Sequence, residues 1–211
     1  MKELQKSDVL TFFACLADIM AQEKDHLIEM DALSGDGDLG FTMSKGFAAA
    51  NECAKEAQDK DIGTLLFMAG RGMAAAVPST MGTLMSSGLL GAGKALKGKE
   101  TLCGEDFATF AMAYFEAVQK RGKANLGERT VLDSLKPAAD KAQELVESGE
   151  EDWSELTKAV HEAALAGVEA TRDMAPVHGK AYVHRNKLKG VPDQGAVVGA
   201  LLYRAWKEAL E

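Results

Sequence analysis

Asp31-Ala-Leu-Ser-Gly-Asp-Gly-Asp-Leu-Gly-Phe-Thr42 admits two readings, and they lead to different folds. Gly35, Gly37 and Gly40 spell G-x-G-x-x-G, the dinucleotide fingerprint that opens a doubly wound α/β fold by pointing backbone N–H groups at phosphates. That reading requires a β-strand before the first glycine, whereas residues 7–28 repeat apolar side chains at helical steps. It also sets Asp36 and Asp38 where phosphate should lie. The second reading is an acidic turn between two helices. Asp31, Asp36 and Asp38 then converge on one small volume with no basic residue among them. Carboxylates that close repel unless a cation lies between them. Hard oxygen ligands without Cys or His select Mg2+, Mn2+ or Ca2+ over zinc. An EF-hand does not fit, since the twelfth position counted from Asp36 is Phe47 in place of a bidentate Glu. The bland alternative is a glycine-rich surface turn that caps the next helix; the clustering of acids favours a metal.

Outward from this turn the chain reads as helices. Val9, Phe12, Phe13, Leu16, Ile19 and Met20 mark a first helix, with Ser7 as N-cap, running on toward Leu27 and Ile28 and delivering Asp31 just past its end. A second runs from about Thr42 to Glu56, and a third from Asp61 as N-cap until Pro78. Pro78-Ser79-Thr80 opens a fourth that continues to about Leu96, with Ser79 or Thr80 as cap. Its small residues admit either another backbone or a ligand at close range. Gly88 to Lys94 imitates a P-loop, but Ala95 stands where Ser or Thr must hold Mg2+, and no strand precedes it. Gly91, Gly93 and Gly98 are read instead as the helix end and a loop. A fifth helix starts near Gly104, and a sixth follows Thr130, whose pairing with Asp133 resembles a capping box. A seventh spans Ser154 to Met174 and an eighth Gly195 to Leu210, separated by a long basic loop from Val177 to Gln194. The expectation is an all-α, single-domain antiparallel eight-helix bundle or barrel over residues 1–211.

The net charge of -8 argues against nucleic acid or an anionic membrane as partner, and aromatic residues at 6% leave no evident base-stacking platform. Cys15, Cys53 and Cys103 are scattered without C-x-x-C spacing, as reduced thiols in a cytoplasmic protein would be. No apolar run approaches the roughly 20 residues of a membrane span, and the N-terminus shows no signal-peptide core.

In an up-down bundle the connections after helices one, three, five and seven fall at the same end. These connections are the acidic turn, Pro78 to Thr83, Arg121 to Thr130, and Val177 to Gly195. Connectivity alone therefore gathers acids, a hydroxyl-capped helix start, glycine turns and a basic loop around one rim. Carboxylates with metal, anion-binding helix N-termini and cations are the parts that phosphoryl transfer needs.

Leu33-Ser-Gly-Asp-Gly-Asp-Leu-Gly, with Asp31 upstream, resembles the metal motif of the nucleotide-binding L subunit of dihydroxyacetone kinases. Arg121-Gly-Lys-Ala, Gly127-Glu-Arg-Thr-Val-Leu-Asp, Gly179-Lys-Ala and Asp193-Gln-Gly are similar to further motifs of that family, so the likeness spans nearly the whole chain. The resemblance implies a kinase subunit with a nucleotide at one rim of an eight-helix barrel. It implies two Mg2+ on Asp31, Asp36 and Asp38, which would serve catalysis. It implies ADP or ATP contacts from Leu39, Gly40, Thr42, Ser79, Thr80, Gly122, Val131, Lys180, Asp193 and Gly195. It further implies a small keto-sugar held on a separate K-type subunit, and in phosphotransferase-system members an M-type phosphoryl-donor subunit. A homodimer is compatible with it. Leu39 replaces the family's frequent His, Val77-Pro-Ser-Thr-Met-Gly replaces G-G-A-S-G-P, and residues 182–192 depart from S-Y-L-G-E-R-S. Donor and sugar therefore stay open among trioses and tetroses. A non-catalytic nucleotide-binding regulatory module and a lipid-binding helical barrel are the alternatives.

Overall fold

The computed structural model describes residues 3–150, 152–183 and 188–211, apart from the Lys180 side chain. Among these residues the regular structure is helical: α1 (Lys6–Gln22), α2 (Lys24–Ala32), α3 (Leu39–Glu56), α4 (Ile62–Ala76), α5 (Thr80–Ala95), α6 (Gly104–Gly122), α7 (Leu132–Glu147), α8 (Trp153–Ala170), α9 (Gly179–Val183) and α10 (Gln194–Leu210). A short 3-10 turn, Thr171–Asp173, extends α8. The pairing of neighbours closes on itself: α1 lies against α3, α3 against α4, and so on through α5, α6, α7 and α8 to α10, which returns to α1. The expected eight-helix ring is present, with α2 and α9 as short additions.

Three boundaries differ from the sequence reading. The first helix breaks at Glu23, so Asp31 lies inside α2 near its end and not beyond a single long helix. Ser7 is inside α1; the cap is Gln5, whose N–H donates to the Asp8 carboxylate at 2.7 Å. Gly91 and Gly93 lie inside α5, which runs on to Ala95, and only Gly98 is in the turn that follows. By contrast Asp61 caps α4 by accepting from the Thr64 N–H at 3.0 Å, and Ser79 caps α5 by accepting from Gly82 at 3.0 Å.

The small residues of α5 serve helix packing. A Cβ on Gly88 would stand 2.3 Å from the Tyr114 ring, and one on Gly93 would stand 2.6 Å from the Gly63 carbonyl oxygen. α5 is thereby nested between α4 and α6. The same economy recurs where Pro137 leaves the Asp133 carbonyl without its intrahelical donor. There α8 closes on that oxygen at Gly167, where a Cβ would lie 2.1 Å away.

The ring is filled. Phe12 stacks on Trp206 with centroids 4.0 Å apart, and Phe107 and Phe110 meet the Trp206 ring edge-on at 5.5 and 5.4 Å. These side chains belong to one continuous buried apolar cluster reaching from Leu4 to Trp206. No helix among the described residues is long and apolar enough to cross a membrane.

Candidate functional site

The acidic turn is shaped by what its glycines omit. Past the end of α2 the backbone folds over Asp31, whose carbonyl accepts from Ser34 at 3.0 Å and from Gly35 at 2.5 Å. A Cβ on Gly35 would meet Asp31 Oδ1 at 2.6 Å, so only glycine lets the chain pass over that carboxylate. Gly37 then adopts φ +71, the left-handed conformation that turns the chain back. The Asp38 N–H donates to Asp31 Oδ2 at 3.0 Å and closes the loop. From the far side of the ring, Gln194 Nε2 at the start of α10 donates to Ser34 Oγ at 2.8 Å and approaches Asp31 Oδ1 at 3.4 Å.

As a result Asp31, Asp36 and Asp38 each offer a carboxylate oxygen within 4.8 Å of the others. Asp31 is buried while Asp36 and Asp38 face outward. Charges at that separation repel by about 1–3 kcal/mol per pair at effective dielectrics between water and a protein surface. Two oxygens on opposite sides of one Mg2+ or Ca2+ stand roughly 4–5 Å apart, so the spread of this donor set fits a divalent cation. The donors are all oxygen, which suits Mg2+ better than a softer metal.

Two adjoining hollows open beside the cluster and share Pro78 and Ser79. The larger, about 440 Å³, is walled by Leu84, Val118, Ala124, Val131 and Leu132, with Thr80, Thr83 and Thr130 as hydroxyls and Arg121 and His178 as basic groups. The smaller, about 310 Å³, lies between α3 and the α4–α5 connection, with Asp38, Thr42 and Lys45 on one side and Ser79 on the other. Thr80 and Met81 occupy the first turn of α5 at this junction, where helix N–H groups are free of intrahelical partners.

Of the residues singled out from sequence, Asp31, Asp36 and Asp38 are brought together, and Thr42, Ser79, Thr80, Gly122 and Val131 line the hollows. Leu39 is the buried first residue of α3. Gly40 is given over to packing, because a Cβ there would stand 2.0 Å from the Lys24 carbonyl oxygen of α2. Asp193 is buried under the rim, where it accepts from Ala196 at 2.8 Å as the cap of α10 and donates its own N–H to Thr171 Oγ1 at 2.8 Å. Gly195 sits beside it, close to the Val131 N–H. The Lys180 side chain and the loop cations His184, Arg185 and Lys187 lie outside the described residues. Sequence reasoning missed Leu84, Val118, Leu132 and His178, and also Lys45 and the Asp31-facing amide of Gln194.

Two electrostatic features brace the rim. Arg129, buried and with φ +59, donates from Nη2 to the Val191 carbonyl at 2.9 Å and so ties the turn before α7 to the segment before α10. Burial raises the Asp193 carboxyl to about 6, with the Arg129 charge offsetting only part of that cost. At the mouth of the larger hollow, His178 Nε2 meets Glu128 Oε2 at 2.5 Å. Hydrogen bonds from the Asn125 backbone and side chain, joined by His178, hold the Glu128 carboxyl down at about 2.

A family model described as the DAK2 domain matches residues 34–208. D-erythrulose kinase of Mycolicibacterium smegmatis is 30% identical over 194 residues, covering 91% of this chain and 33% of its own length. The human triokinase/FMN cyclase is 35% identical over 190 residues, covering 89% of this chain and 32% of its own. The chain thus spans about a third of the length of these relatives. The ADP-binding subunit DhaL of PEP-dependent dihydroxyacetone kinase 1 from Listeria innocua is 29% identical over 184 residues, with 87% of this chain and 86% of the relative covered. Among solved structures, dihydroxyacetone kinase of C. freundii in complex with AMP-PNP and Mg2+ superposes with a TM-score of 0.72 at 23% identity. That match covers 99% of this chain and 35% of the other, a likeness of fold.

Proposed function

The chain belongs to the DAK2 domain family, and from that membership we propose that it is the Mg–ADP/ATP-binding half of a kinase that phosphorylates a small keto-sugar. The observation that carries this reading is the junction of the two hollows at Ser79. An apolar slot sized for a base and ribose leads past the start of α5 into a smaller chamber edged by the acidic cluster.

In this reading Leu84, Val118 and Leu132 receive the base, and Thr80 and the first N–H groups of α5 receive phosphate oxygens. Asp31, Asp36 and Asp38 would hold the metal, which we take to be two Mg2+. Bound there, the metal would neutralise phosphate charge as the phosphoryl group leaves. Gln194 and the Asp38 N–H fix the direction of the Asp31 oxygens before any metal arrives. Leu39, Gly40, Gly122, Val131, Asp193 and Gly195 shape the walls and supports of this site, and Lys180 is proposed as a further nucleotide contact.

The keto-sugar would be held on a K-type partner. Exposed apolar side chains support docking at this rim: Leu33 and Phe41 flank the acidic end, and Leu126, Val177, Tyr182 and Val183 belong to the connections at the other. The donor is either free ATP or, through bound ADP, an M-type subunit; a cytoplasmic location and a homodimer are compatible with both.

Calorimetric titration with Mg–ADP tests the proposal. Asp36→Asn and Asp38→Asn should each reduce affinity by at least about a hundredfold, since each removes one charged ligand from the metal. The far-ultraviolet circular dichroism should stay helical. Undiminished binding by both variants would overturn the metal-nucleotide reading. If binding is intact but no K-type partner restores phosphorylation of dihydroxyacetone or erythrulose, the chain is a regulatory module instead.

A further inference from the structure

We propose that Lys45 is the residue by which this chain distinguishes a nucleoside triphosphate from a diphosphate, an inference that rests on the nucleotide reading above. Asp38, the N-cap of α3, lies three and four residues before Phe41 and Thr42, which in turn lie four and three residues before Lys45, so the four share one side of the helix start. All four line the smaller chamber. In the nucleotide reading the base occupies the larger, apolar hollow, and the two hollows meet at Pro78 and Ser79. A polyphosphate chain running from the base therefore ends against the α3 wall.

Charge decides what waits for it there. Three carboxylates and two divalent ions sum to about +1, whereas a diphosphate carries roughly −3 and a triphosphate roughly −4. The third phosphate adds charge at the far end of the path, beyond the hydroxyls and helix N–H groups that serve the phosphates nearer the ribose. Among the described residues Lys45 is the one basic residue lining the smaller chamber, while Arg121 and His178 belong to the larger one. Lys24 of α2 already lies over the Phe41 ring at 4.2 Å. Among the described residues no ion pair engages Lys45, whose side chain is exposed to the chamber. A compact ammonium on a flexible stem suits a terminal phosphate, whose oxygens are not presented as a planar pair.

Calorimetry on the full chain with saturating Mg2+ tests this with three probes: AMP-PNP, ADP and AMP. Lys45→Met should weaken AMP-PNP about tenfold or more, ADP by no more than about threefold, and AMP not measurably. Lys45→Arg, which keeps the charge, should stay within about threefold of the parent for all three. Because Lys45 is on the surface, the melting temperature should not move, and that measurement guards against a folding explanation. Equal losses for all three probes, or no loss with AMP-PNP, would overturn the inference while leaving the nucleotide site standing. If the parent chain itself binds none of the probes, the nucleotide reading fails first and the role of Lys45 falls with it.

Discussion

Phe12 and Trp206 lie face to face with ring centroids 4.0 Å apart, whereas Asp31, Asp36 and Asp38 hold like charges within 4.8 Å of one another. Both are tight clusters assembled from distant or turning backbone, yet their energetics have opposite signs. The aromatic cluster is attractive on its own: each ring buries a large apolar area, and each well-placed pair adds about 0.5–1.5 kcal/mol beyond that area. The acidic cluster repels itself by about 1–3 kcal/mol per pair and is kept in place by glycine geometry, the Asp38 N–H and Gln194. One cluster explains why the ring closes. The other is, in the reading proposed above, where a divalent cation would bind.

Breaking the attractive cluster should have the larger effect on stability. Trp206→Ala removes the residue that contacts Phe12, Phe107 and Phe110 at once and joins α10 to α1 and α6. Among the described residues its indole N–H has no hydrogen-bond partner, so packing is what it contributes. Urea denaturation should register a loss of about 3–5 kcal/mol, the usual cost of emptying a buried aromatic site. Affinity for Mg–ADP, measured well below the melting temperature, should be unchanged within about twofold, because the aromatic cluster shares no residue with either hollow. A large loss of affinity at full helicity would mean that the two regions are coupled.

The contrast also explains how much could be read from sequence. Phe107, Phe110, Ala111, Tyr114 and Val118 repeat at helical spacing and are all buried, so α6 was legible before any coordinate was known. The acids were legible because Asp31, Asp36 and Asp38 are local in the chain and chemically unlike their surroundings. The break at Glu23 was not. Good helix formers stand on both sides of it, without Gly or Pro, and the break is confined to one residue, Glu23, at φ -82 and ψ 2. A tertiary contact, Arg204 to Glu23 at 3.0 Å, adds to what holds that corner. The larger hollow was hidden for another reason. Leu84, Val118 and Leu132 carry the same apolar signal as core residues, and only the ring's closure reveals that they face a hollow. Gln194 was likewise visible only as part of a turn, because its Asp31 contact joins residues 163 positions apart.

A smaller perturbation can be aimed at the scaffold of the repulsive cluster. Gly40→Ala places a methyl group 2.0 Å from the Lys24 carbonyl oxygen, so α3 must move away from α2. Overpacking of this kind costs about 1–3 kcal/mol. Asp38 lies two residues before Gly40, and Asp31 lies on α2, so the displacement should spread the carboxylates. Thermal unfolding should show the loss of stability, and the added stabilisation by Mg2+ should shrink along with it. Retention of the full Mg2+ effect would show that the cluster tolerates a looser frame.

The smallest expected effect lies beneath the rim, where charge is buried without a full counter-ion. Asp193 titrates at about 6 in the folded chain, because burial disfavours its charged form more than Arg129 restores it. An ordinary aspartate in the unfolded chain titrates near 3.9. The folded state therefore holds the proton more tightly, and the stability due to this group is greatest at low pH and is lost as pH rises through about 6. Between pH 5 and 6.5 the loss should be about 1 kcal/mol. Asp193→Asn keeps an acceptor for the Ala196 N–H that caps α10 but carries no titrating proton. Subtracting the stability–pH curve of the variant from that of the parent should isolate a downward slope over this window, since acids such as Glu128 with lowered values contribute equally to both curves. A flat difference would mean that Arg129 fully compensates Asp193. The buried pair would then resemble the aromatic cluster in being satisfied from within.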